Sequence, residues 1–137
     1  MNARSLLAIV FLAVSFAANA GVAPRWDKLE QTLKIRPEQK EQFDAAAGAT
    51  QRAMLSIALS ALQAKERLSA ELMKARPDFN AFVELQDQVV EQNRPLLQEA
   101  REEWRKLYET LDDEQVVIAK NYLRNQLGQL LQSQIAP

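Results

Sequence analysis

Two long helix-forming stretches dominate this chain, one from about Pro37 to Ala75 and one from about Asp78 to Thr110. Both are dense in Ala, Leu, Glu, Gln, Lys and Arg, the residues that lose least on entering a helix. β-Branched runs are almost absent, Val116-Val117-Ile118 being the exception, and three glycines leave too few turn residues for a β-sandwich. Proline acts as punctuation. Pro37 sits just inside a helix start, where its missing N–H costs nothing. Pro77 disfavours helix at Arg76 and marks a turn. The sequence therefore reads as all-α with four helices: Trp26–Leu33, Pro37–Ala75, Asp78–Thr110 and Asp113–Leu131, with fraying beyond Leu131. A helix of 39 residues is about 58 Å long at 1.5 Å per residue. That exceeds a compact domain, so the second and third helices are expected to form an elongated antiparallel hairpin.

Met1 to Ala20 has the three parts of a secretory signal peptide. Arg4 gives the positive start, Leu6 to Phe16 the short apolar run, and Ala18-Asn19-Ala20 the cleavage site. About 11 apolar residues fall short of the roughly 20 that a membrane span needs. Cleavage after Ala20 would leave residues 21–137 as a single all-helical domain in the periplasm, without stable membrane insertion.

Composition narrows the chemistry. The 17 basic and 18 acidic residues balance to a formal charge of −1, which argues against a nucleic-acid grip. The chain has no histidine and no cysteine, so imidazole bases, thiolate nucleophiles, disulfides and Cys/His metal sites are excluded. Ser56, Ser60 and Ser69 have no base to activate them. No enzyme and no cofactor is expected.

The third helix carries a seven-residue beat of Val83, Val90, Leu97, Trp104 and Leu111, with Phe79, Gln86, Asn93, Ala100 and Leu107 as companions. That is a helix–helix seam with two polar interruptions. Pro95 falls inside it, deletes one backbone hydrogen bond and is expected to kink the rod. The second helix is apolar over an unusually wide arc: Met54, Leu55, Ile57, Ala58, Leu59, Ala61 and Leu62 take most of the wheel. One packing partner buries only about a 100° stripe. The excess arc calls for a second copy of the chain or another partner.

Two helix starts share one device. Leu111-Asp112-Asp113-Glu114-Gln115 has Asp112 as N-cap and Gln115 three residues on, placed to reach back to the N-cap amide. Ile35-Arg36-Pro37-Glu38-Gln39 repeats the spacing, but Arg36 has no acceptor with which to cap. The pair resembles the two L-T-x-x-Q motifs of the Spy/CpxP family of periplasmic chaperones and stress adaptors. Ile35, Arg36 and Gln39 match one motif, and Leu111, Asp112 and Gln115 the other. Both threonine positions depart from the pattern.

The resemblance implies a thin, curved homodimer that binds unfolded or misfolded periplasmic proteins during envelope stress, without ATP. The surface residues it points to, for clients or for the dimer, are Phe43, Met54, Leu55, Leu59, Leu62, Met73, Phe79 and Phe82. Two other readings belong to the same resemblance. One is a regulatory adaptor that docks on the periplasmic domain of a sensor kinase. The other is a metal-sensing relative, although only Met54, Met73 and carboxylates such as Glu99, Glu102 and Glu103 could serve as ligands here.

Overall fold

The computed structural model describes residues 25–135. The expected signal peptide lies outside them. The described residues are all-α, with no strand among them. Helix α1 spans Trp26–Thr32, a short 3-10 turn spans Pro37–Gln39, and α2 (Lys40–Leu72), α3 (Phe79–Thr110) and α4 (Asp113–Ile135) follow. None is long and apolar enough to cross a membrane. Two boundaries differ from expectation by one residue, α1 ending at Thr32 and α3 beginning at Phe79, and three differ by more. A 3-10 turn at Pro37–Gln39 precedes α2, which begins at Lys40. Helix α2 stops at Leu72 rather than Ala75, so it ends before Arg76, the residue that Pro77 bars from helical geometry. Helix α4 continues to Ile135, past the expected fraying point. Helix α3 runs through Pro95, whose ring lies on the exposed side.

The chain divides into two compact units. The first joins residues up to Ala47 with those from Arg101 onward, and the second is Gly48–Ala100. In the first unit, Leu29, Leu33, Phe43, Ala46, Ala47, Trp104, Leu107 and Leu123 are buried. Phe43 meets Trp104 edge-on at 6.0 Å, and Trp26 lies 6.1 Å from Trp104. This corrects one expectation. Phe43 is 1% exposed, so it belongs to the core and has no surface to offer a client.

The second unit is an antiparallel helical pair. Arg52 faces Glu99, Ser60 faces Asn93, and Arg67 faces Gln88, the partner's number falling as the first rises. The turn is built at both ends. Glu71 accepts the Asp78 N–H at 2.8 Å and an ion pair from Lys74. Those two donors hold its carboxyl below the usual range, the Lys74 ammonium contributing most. Asp78 caps α3 by accepting the Asn80 N–H at 3.0 Å.

Burial in this unit differs from the expected seam. Asn93 and Ala100 are buried, while Val83, Val90 and Phe79 are exposed. Asn93 Nδ2 donates to the Ser60 hydroxyl at 3.2 Å and to the Val89 carbonyl at 2.6 Å, and Asn93 Oδ1 has no partner among the described residues. Both neighbours are acceptors toward Asn93, because the Ser60 hydroxyl already donates to the Ser56 carbonyl. Only the amide orientation that points Nδ2 at both acceptors satisfies them, so the orphan is the oxygen. An unpaired buried acceptor costs about 1–3 kcal/mol. Asn93→Leu is expected to stabilise the protein by about 1–2 kcal/mol, read as a higher urea midpoint at unchanged slope. A lower midpoint would show that the amide is worth more than its orphaned oxygen costs.

Candidate functional site: a clasp between two helix starts

Helix α1 ends in a left-handed residue, Lys34, at φ 52°. The Lys34 N–H reaches the Gln31 carbonyl at 3.1 Å and the Ile35 N–H reaches the Glu30 carbonyl at 3.2 Å, a Schellman ending. This leaves the carbonyls of Leu33 and Lys34 pointing onward without a helical donor. Helix α3 ends at Thr110 with the same need.

Two glutamines meet both needs. Gln115 closes the box on α4: Gln115 N–H donates to Asp112 Oδ1 at 2.8 Å, and Asp112 N–H donates to Gln115 Oε1 at 3.0 Å. The amide nitrogen of Gln115 donates to the carbonyls of Leu33 and Lys34 at 3.2 and 3.0 Å. Gln39 does the mirror task. Its Oε1 accepts the Arg36 N–H at 3.0 Å, and its Nε2 donates to the Thr110 carbonyl at 2.8 Å. The two amides also bond each other in both directions, Gln115 Nε2 to Gln39 Oε1 at 2.8 Å and Gln39 Nε2 to Gln115 Oε1 at 3.1 Å. Both residues are buried, at 2% exposure each. Each glutamine therefore starts its own helix and satisfies the end of the helix that precedes the other. The two motif copies form one near-symmetric clasp.

The residues that replace threonine also face each other. Arg36 has no acceptor, so the Gln39 N–H turns to the Arg36 carbonyl at 2.9 Å and that box is half complete. The Arg36 guanidinium instead pairs with Asp112 Oδ2 at 2.7 Å and with Glu38 at 2.9 Å. Lys34 and Glu114 form a second ion pair at 2.7 Å. That hydrogen bond holds the Lys34 ammonium above its usual range. Half-exposed pairs such as these contribute at most about 1 kcal/mol. Their larger effect is on matching, since a basic first copy fits an acidic second copy. Asp112→Arg is expected to cost about 2 kcal/mol, through the lost cap and two facing guanidinium groups. Adding Arg36→Asp restores one cap and one ion pair, so the double variant should melt within about 2 °C of wild type. A double variant no better than Asp112→Arg alone would exclude this equivalence of the two copies.

Of the six motif residues named from sequence, the structure brings Arg36, Gln39, Asp112 and Gln115 into one network, and leaves Ile35 and Leu111 half-buried beside it. Sequence reasoning missed Lys34 and Thr110. Their shared signal was position, five residues before each glutamine. Of the surface set, Leu55, Leu59, Leu62, Met73 and Phe79 are exposed, whereas Met54 and Phe82 are half-buried. Among the described residues no group of three acidic, His or Cys side chains could hold a metal ion.

Comparison with protein-family models, with curated proteins and with solved structures returns no match to this chain.

Proposed function

We propose that this protein is an ATP-independent, chaperone-like protein of the periplasm that binds unfolded or misfolding proteins on the helical pair Gly48–Ala100. One observation carries the reading. The fully buried apolar residues of this unit are three alanines, Ala49, Ala53 and Ala100. Three leucines of α2 face outward, Leu55 being 61% exposed, Leu59 53% and Leu62 60%. These three leucines lie at i, i+4 and i+7 on α2, one stripe on one face. A face of that kind binds extended apolar segments loosely and without sequence preference. The paired glutamine motifs support the same reading through their resemblance to the Spy/CpxP chaperones. A second copy of the chain is the other occupant that the leucine stripe suits.

The test is aggregation of a urea-diluted client at stoichiometric ratios. Wild type should suppress light scattering. The triple variant Leu55→Ser, Leu59→Ser, Leu62→Ser should lose at least about fivefold in protection at an unchanged melting temperature, because exposed apolar positions carry little folding energy. No suppression by wild type at several-fold excess would overturn the proposal. Recovery of one stoichiometric membrane partner in place of many clients would favour the sensor-docking adaptor.

A further inference from the structure

The helical pair Gly48–Ala100 is held firmly at its two ends and loosely in between. Ala49, Thr50, Ala53 and Ala100 are buried at one end, and Glu71 is buried at the turn. Among the described residues nothing on α2 between Ala53 and Glu71 is buried, and on α3 before Ala100 only Asn93 is. Midway, Asn93 donates to the Ser60 hydroxyl at 3.2 Å. A small cleft opens beside that bond, lined by Ser60, Gln63 and Arg67 from α2 and by Leu85, Gln88 and Gln92 from α3. Polar side chains stand there where a rigid helix pair has interlocking apolar ones.

Both helices are weakened at this same level. Pro95 lies inside α3 and has no N–H, so the Glu91 carbonyl receives no helical donor. Asn93 Nδ2 donates to the Val89 carbonyl at 2.6 Å, the carbonyl that an unbroken helix gives to the Asn93 N–H. On α2 the Ser60 hydroxyl donates back to the Ser56 carbonyl at 2.8 Å, a bond of the kind that bends helices. Asn93 Oδ1 has no partner among the described residues, so the central residue of the pair is only half satisfied. Helices bend where proline or an inserted side chain interrupts their ladder of backbone bonds. Here two such interruptions lie side by side on α3 and face a third across the pair.

We propose that this level is a hinge, about which the part of the pair that carries the turn bends relative to the Gly48–Ala100 end. Its α2 side, Ser56 to Ser60, lies between Leu55 and Leu62, so bending changes how the leucines of the stripe are aimed relative to one another. One stripe then fits apolar segments of different curvature. That use of the bend rests on the reading of the stripe as a binding face, whereas the hinge itself does not.

The test is a distance distribution between two spin labels in the whole chain, read by pulsed electron paramagnetic resonance. The chain has no cysteine, so Asn80→Cys with Gln98→Cys introduces the two labelling sites. Both positions are exposed. They are 18 residues apart, on one face of α3 and about 27 Å from each other, with Pro95 between them. Labelled wild type should give a distribution at least about twice as wide as the same labels in a Pro95→Ala, Asn93→Leu background. That background restores a backbone donor to the Glu91 carbonyl, frees the Val89 carbonyl and removes the orphaned oxygen, so it should fold and melt higher than wild type. It should also protect a urea-diluted client at least about threefold less than wild type, with Leu55, Leu59 and Leu62 intact. Equal widths overturn the hinge, as does a narrow wild-type distribution merely displaced from that of the background, which is the mark of a fixed kink. Equal protection overturns the use of the bend in binding. Wild type that protects no client refutes the proposed function instead, and the label distances still decide the hinge.

Discussion

Gln115→Ala should lower the melting temperature by about 10–15 °C, an effect far larger than most single polar substitutions produce. The side chain is buried and serves five backbone and side-chain groups at once. Its loss strips the Asp112 N–H of its acceptor, the Leu33 and Lys34 carbonyls of their donor, and the Gln39 amide of its partner. Leaving buried polar groups unpaired costs about 1–3 kcal/mol each when water cannot replace the lost partner. Partial hydration at the rim brings the sum to about 3 kcal/mol. At the size of this chain each kcal/mol shifts the melt by about 4 °C. Gln39→Ala should behave similarly. The double variant should cost clearly less than the two singles together, because each single orphans the other amide. Tryptophan emission is the suitable probe, since Trp26 and Trp104 both lie in the unit that contains the clasp. A loss under about 1 kcal/mol, or strictly additive singles, would mean that the reciprocal amide pair contributes nothing of its own.

The helices were legible in the sequence because their signals are local. Pro37, Pro77 and the Asp112 cap mark three of the ends, and propensity fills the rest. The box at Asp112–Gln115 was equally legible, since its donor and acceptor are three residues apart. The clasp was not. Spacing says where a glutamine sits on its own helix, and nothing about a second glutamine 76 residues away. The half-complete box at Arg36 looked like decay of the motif when taken alone. Against Asp112 it becomes one side of an ion pair at 2.7 Å, so the two departures from threonine are explained only together. The two rows of the α3 seam were ranked wrongly for a related reason. The heptad count gave weight to Val83 and Val90 by residue type. The face actually buried in the second unit runs through Asn93 and Ala100, where small or polar side chains let the helices meet. A one-dimensional apolar pattern does not report which of two neighbouring rows the partner helix covers.

Phe43 gives the sharpest contrast between pattern and packing. The resemblance made it a candidate client contact, yet it is almost wholly enclosed against Trp104. Phe43→Ala is therefore expected to cost about 3–5 kcal/mol, the usual loss for a buried phenylalanine. Up to about 1 kcal/mol of that belongs to the edge-on aromatic pair. The near-ultraviolet circular dichroism of Trp104 should weaken in the folded variant, and the melt should fall by about 12–20 °C. Leu59→Ala removes a side chain of similar apolar character from the same helix and should shift the melt by no more than about 2 °C, since Leu59 already faces solvent. The two variants thus separate folding from binding on one helix. If Phe43→Ala melted like wild type while Leu59→Ala did not, the assignment of core and working surface along α2 would have to be exchanged, and the leucine stripe would lose its claim to bind anything outside the chain.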